Sequence, residues 1–89
     1  MVLPKPVKRD KNGKLTADYT RREWFLKITE EVLEAWEIVD TEYHARELVD
    51  VITVCISRLD ALGFDEEARA DLFAYVNKKN EQRGYFKDN

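Results

Sequence analysis

The sequence is poor in the residues that break or staple a chain. Of its 89 residues only three are glycine and two are proline, and there is one cysteine and one histidine. So few turn formers argue against an all-β fold, which needs a turn signal roughly every 8–12 residues. A single cysteine, Cys55, excludes an intramolecular disulfide, which suits a reducing cytoplasm. One cysteine and one histidine also leave too few soft donors for a zinc-type site. No apolar run is long enough to span a bilayer and no signal-peptide core is present, so the expectation is a cytoplasmic protein with no membrane partner.

Charge and apolar side chains are what the chain has in quantity. Charged residues make up 37% and hydrophobic residues 44%, a balance that fits a helix-rich soluble domain. At this length one small domain is expected, with a core so marginal that oligomerisation is a reasonable way to complete it. The formal net charge of −3 hides a polarity. Residues 1–22 hold seven Lys or Arg against two Asp, a surplus of five positive charges. That leaves eight basic and sixteen acidic residues in the rest, a surplus of eight negative charges. A basic arm therefore precedes an acidic body. Such an arm solvates the chain, attracts the body or a neighbouring subunit, or contacts phosphate. The acidic helices argue against DNA wrapping, so nucleic acid is not an expected partner.

The arm, residues 1–17, contains Pro4, Pro6 and the turn signal Asn12-Gly13, around which a short hairpin could form. With only Val7 and Leu15 as flanking support, the expectation is an irregular segment ordered by a partner subunit. A helical domain follows from residue 18 to 89, with helices at about 18–39, 41–62 and 66–83. In the first, Phe25, Ile28, Val32, Ala35 and Val39 step by three or four and form a stripe. Trp24 and Trp36 flank it, and Leu26 and Leu33 lie on the other side, a second apolar face of the kind another subunit buries. In the second, Ala45, Leu48, Ile52, Cys55, Leu59 and Leu62 form the stripe, which makes Cys55 a core residue and His44 a packing residue. Gly63 closes this helix. Asp65 caps the third, whose first turn carries Glu66 and Glu67. The fold class expected is all-α, three helices in a bundle completed by oligomerisation.

No glycine or proline separates the first two helices, so the turn between them rests on phase. Continued without a break, the second stripe would sit about 200° from the first. Asp40 and Thr41 are good N-cap residues for a restart there. The consequence is chemical. Glu31/Glu34 and Glu47/Asp50 are two carboxylate pairs, each spaced i, i+3 on one helix face, and they are symmetric about residues 40–41. In one continuous helix Glu34 and Glu47 would be about 20 Å apart; in a hairpin they face each other about 10 Å from the turn. Asp50, set among Leu48, Val49, Val51 and Ile52, needs a compensating partner. Convergent oxygen ligands favour a hard cation, Mg²⁺ with Mn²⁺ able to substitute. Carboxylate-held Mg²⁺ commonly shares its shell with substrate phosphates, which gives Lys27 and the cluster of Lys79, Asn80 and Arg83 a role as phosphate ligands. Cations at a helix C-terminus are also favourable on electrostatic grounds alone.

The segment Glu30-Glu31-x-x-Glu34, a twelve-residue gap and Glu47-x-x-Asp50 resembles the paired motif of MazG-like nucleotide pyrophosphohydrolases, within the all-α NTP pyrophosphatase superfamily. Lys27-Ile28-Thr29 before the first motif, Val51 after the second, and the closing Lys79-Asn80-Glu81-Gln82-Arg83-Gly84-Tyr85-Phe86 extend the resemblance over residues 24–86. It implies a helical homodimer or homotetramer that hydrolyses nucleoside triphosphates to the monophosphate and pyrophosphate. It implies Mg²⁺ on Glu31, Glu34, Glu47 and Asp50, with the C-terminal Lys, Asn and Arg at the phosphates. Glu30 is a candidate for orienting water. The base and sugar preference stays open. The competing reading is a non-catalytic helical oligomer that binds a nucleotide or a protein partner without turnover.

Overall fold

The computed structural model describes residues 2–88. Three helices carry the fold: α1 (Arg21–Glu37), α2 (Thr41–Ala61) and α3 (Glu66–Gln82). No strand occurs among the described residues; one antiparallel bridge pairs Arg9 with Leu15, and a 3-10 turn spans Thr16–Asp18. No described helix is long and apolar enough to cross a membrane.

α1 starts at Arg21, three residues later than its apolar pattern suggests. The reason is a capping box. The Thr20 side chain accepts from Glu23 N at 3.1 Å, and the Glu23 carboxylate accepts from Thr20 N at 3.1 Å, which satisfies two otherwise orphaned donors. Asp18 belongs instead to the preceding 3-10 turn. At the other end the backbone leaves the helix at Ile38 (φ −88°, ψ 119°), so Val39 lies in the connection. Asp40 then caps α2, accepting from Glu42 N at 3.0 Å and Tyr43 N at 3.2 Å. The reversal therefore takes three residues and no glycine. His44 Nδ1 lies 2.8 Å from Ala35 O, a carbonyl at the end of α1 that also accepts from Ile38 N at 3.4 Å. Gly63, at φ +99°, supplies the left-handed residue after α2, and Asp65 caps α3 through Ala68 N at 2.9 Å.

α1 and α2 pack along faces one position away from the most apolar stripes. On α1 the inward set is Trp24, Ile28, Glu31, Ala35 and Ile38; on α2 it is His44, Glu47, Val51, Val54, Arg58 and Ala61. Both step by three and four, as a helix interface requires. Phe25, Val32 and Val39 of the first predicted stripe are exposed, as are Leu48 and Ile52 of the second. Cys55 is also exposed rather than part of the core. The buried apolar residues are Trp24, Ala35, Val54 and Ile56. With so small a core the chain is extended: its radius of gyration is 14.9 Å, against about 12 Å for a compact domain of this length.

The arm is tied to its own chain. Val7 N donates to the buried Ser57 Oγ of α2 at 2.9 Å, and Thr16 Oγ1 donates to Val7 O at 2.7 Å. Asp60, near the end of α2, pairs with Lys8 from the arm and with Arg69 from α3, the latter at 3.2 Å. One carboxylate thus joins three parts of the fold. Lys8 first, then Arg69, holds the Asp60 carboxyl below the ordinary aspartate range, against a partial loss of hydration. A depressed folded-state pKa stabilises the protein above the unfolded value, and the contribution is lost as pH falls through the folded one. The Tm advantage of the parent over Asp60→Asn should therefore be constant near neutrality and disappear in acid. A difference that does not change with pH would contradict this.

Candidate functional site

The hairpin brings Glu31, Glu47 and Asp50 together, while Glu34 groups with Glu30 and Glu31 along α1. Carboxylate oxygens of Glu31, Glu47 and Asp50 lie within 4.8 Å of one another, and so do those of Glu30, Glu31 and Glu34. Glu31 belongs to both groups. It projects from the inward face of α1 with its side chain 14% exposed, and Lys27 one turn earlier lies 3.4 Å from it. Glu47 is half-buried on α2, while Glu30, Glu34 and Asp50 are exposed. The aliphatic sequence neighbours of Asp50 do not enclose it: Val49 and Ile52 face outward, while Asp50 lines a cleft with Glu31, Glu34 and Glu47.

These groups repel one another. The Glu31 carboxylate, more than any other influence, holds Glu34 above the ordinary glutamate range, with smaller contributions from lost hydration, Glu30 and Glu47, while Lys27 acts in the other direction. Such a cluster lowers its energy by gaining a cation or a proton. The donors are all oxygen, and an ion bonded to each at about 2.0–2.6 Å holds oxygens that lie up to about 4–5 Å apart. Each group is thus a candidate site for a hard divalent cation.

The cleft has a volume of about 620 Å³, within the roughly 300–1,000 Å³ of small-molecule sites. One wall is the carboxylate set. The α2 side continues through Thr53, Val54 and Ser57, and Trp24 also lines the space. Trp24 is 2% exposed. Its ring meets Tyr19 edge-on, centroids 5.1 Å apart, and the Arg58 guanidinium lies 5.7 Å from its centroid. Its buried indole N–H has no hydrogen-bond partner among the described residues. A ring so covered is a core residue.

Lys27 and Glu30 line the cleft with the four carboxylates. Lys79, Asn80 and Arg83 do not; they sit at the last turn of α3 and the residue beyond it. In their place the arm contributes Val7, Arg9, Asp10, Lys11 and Asn12. These arm residues were not singled out from the sequence as cleft-forming. The signals that could have found them were the surplus positive charge of residues 1–22 and the Asn12-Gly13 turn. A third signal was the polar row Glu47, Asp50, Thr53 and Ser57, spaced by three and four along α2, which marks the wet side of that helix. No protein-family model, curated protein or solved structure matches this chain in comparisons with known proteins.

Proposed function

We propose that this protein is a Mg²⁺-dependent pyrophosphohydrolase that converts a (deoxy)nucleoside triphosphate and water to the monophosphate and pyrophosphate. The observation that carries the proposal is the convergence of carboxylates from α1 and α2 on Glu31, in a cleft large enough for a nucleotide. The resemblance of residues 24–86 to MazG-like enzymes supports it from the sequence side. Glu31, Glu34, Glu47 and Asp50 would hold Mg²⁺, which when bound neutralises phosphate charge and helps orient or activate the attacking water. Glu30 is exposed at the cleft and would orient that water as its oxygen bonds to phosphorus and the linkage between the α- and β-phosphates breaks. Lys27, beside Glu31, would meet a phosphate oxygen once a cation satisfies the carboxylate it now faces. Release of pyrophosphate from a panel of canonical and modified (d)NTPs, with and without Mg²⁺, tests the reading.

The reading includes a homodimer or homotetramer. Phe25, Val32 and Trp36 lie along one face of α1 and Leu48, Val49 and Ile52 along α2, all exposed, with Trp36 at 83%. Apolar surface on this scale marks an interaction site in a soluble protein. The molar mass by light scattering should be two or four times that of the 10.5 kDa chain; a monomer at all concentrations would contradict it. The same surface is what favours the second reading, a helical module that binds a partner without turnover, and the nucleotide panel separates the two.

A further inference from the structure

We infer that the N-terminal arm, through Arg9 and Lys11, forms the phosphate-binding wall of the cleft and engages the terminal phosphates of a polyphosphate ligand. The inference rests on the proposed nucleotide site and assigns a part of it to residues outside the carboxylate motif. It starts from a charge problem. The cleft is lined by Asp10, Glu30, Glu31, Glu34, Glu47 and Asp50 against Arg9, Lys11 and Lys27. A cation held by the carboxylates brings a phosphate close, but oxygens of the ligand that do not touch the cation need donors elsewhere. Lys27, 3.4 Å from Glu31, serves one such oxygen from the α1 side. The other two cations lining the cleft, Arg9 and Lys11, come from the arm.

The arm is built to hold them in place. Asp10 closes the turn, its Oδ1 accepting from Asn12 N at 2.9 Å and Lys14 N at 3.0 Å. Its Oδ2 accepts from the Tyr19 hydroxyl at 2.7 Å. That bond holds the Asp10 carboxyl below the ordinary aspartate range and pushes the Tyr19 hydroxyl up to about 12, so Asp10 is committed to the turn as a charged acceptor. Gly13, at φ +82°, allows the reversal. The turn is then anchored at both ends, by Val7 on Ser57 and by Lys14 on Glu23 at 2.8 Å. Arg9 spends one N–H on Gly13 O at 2.8 Å, which fixes the guanidinium and leaves its other donors for an anion. Lys11 takes part in none of the ion pairs among the described residues. A rigid turn carrying donors of this kind binds phosphate with little ordering cost.

The test is calorimetric binding of inorganic tripolyphosphate in Mg²⁺ to the full chain. The parent should bind, and Arg9→Ala/Lys11→Ala should bind roughly tenfold more weakly or worse, the scale expected for lost charge-assisted contacts. Lys79→Ala/Arg83→Ala should bind within about twofold of the parent, because those residues lie outside the cleft. Lys11→Glu alone should weaken binding without unfolding, since Lys11 holds no ion pair, and Arg9→Lys/Lys11→Arg should restore most of the affinity. No binding by the parent, parent-like binding by Arg9→Ala/Lys11→Ala, or loss confined to the Lys79/Arg83 variant would overturn the assignment. Hydrolysis of (d)NTPs measured in parallel keeps the two ideas apart. Binding without hydrolysis of any nucleotide sinks the enzyme reading and leaves the arm assignment standing. Hydrolysis with KM unchanged in Arg9→Ala/Lys11→Ala sinks the arm assignment alone.

Discussion

Glu31→Gln should abolish nucleotide hydrolysis while leaving the protein folded. Glutamine keeps the side-chain volume and nearly the same helix propensity, so the substitution removes a charge and little else. Glu31 is the carboxylate common to both clustered groups, one running along α1 and one crossing to α2. Loss of a residue that merely supports a metal ligand typically costs about 10–100-fold, and loss of a carboxylate shared by both groups should exceed that. The fold should not suffer. Among the described residues Glu31 pairs with Lys27 one turn away, and the Glu31 charge is the main influence raising the Glu34 carboxyl. In metal-free protein Glu31→Gln should relieve that repulsion and leave Tm equal to the parent's or higher. Mg²⁺ should then raise the parent's Tm and have little effect on the variant, because a ligand that binds only the folded state stabilises it. Full activity in Glu31→Gln would place the chemistry elsewhere. The exposed Glu37, outside both groups, is the control position, and its glutamine variant should match the parent.

Trp24→Ala should cost the most stability of any single change. It empties the largest of the buried apolar positions among the described residues, and removes the edge contact with Tyr19 and the Arg58 guanidinium's contact with the indole. A buried Trp→Ala change costs about 3–5 kcal/mol, while a domain of this length is held by roughly 4–13 kcal/mol in total. Much of the protein should therefore be unfolded, as urea titration or thermal melting would register. Trp24→Phe should be far milder, since it keeps an aromatic ring and removes the unpartnered N–H, whose burial is itself a cost. Trp36→Ala, at a position 83% exposed in the single chain, should leave intrinsic stability nearly unchanged. With the proposed oligomer built on this face, its effect should appear in how Tm depends on protein concentration. A loss below about 1 kcal/mol for Trp24→Ala would mean that this residue does not hold α1 on α2.

The legible part of the fold was the part written in caps and breaks. Asp40, Asp65 and Gly63 mark the ends they were expected to mark, and the phase reversal located the hairpin without a glycine or proline. The capping box Thr20-x-x-Glu23 was equally readable and would have corrected the start of α1. The inward faces were harder to find. The most apolar row on each helix runs from Phe25 to Val39 and from Ala45 to Leu62. In the single chain α1 and α2 instead meet through rows containing Glu31 and Glu47, one position away. Those carboxylates occupy part of the interface, so apolar content and inward direction do not coincide. That mismatch is what a polar cleft between two helices produces, and it leaves the richest apolar faces uncovered. Sequence patterns fail most at such places. The candidate carboxylates were legible because their spacing is a geometric signal in its own right. The arm's part was not, because Arg9 and Lys11 reach the cleft through a contact fifty residues away in sequence, Val7 N on Ser57 Oγ, which no local pattern encodes.

The central claim is a statement about which bond breaks, and product analysis reads it directly. Purified protein should be incubated with each (d)NTP in Mg²⁺ and the phosphorus-containing products separated and quantified. The account predicts, for at least one nucleotide, monophosphate and pyrophosphate in equal amounts, with none formed when a chelator replaces Mg²⁺. No product from any nucleotide, or diphosphate with orthophosphate in place of monophosphate with pyrophosphate, would contradict it.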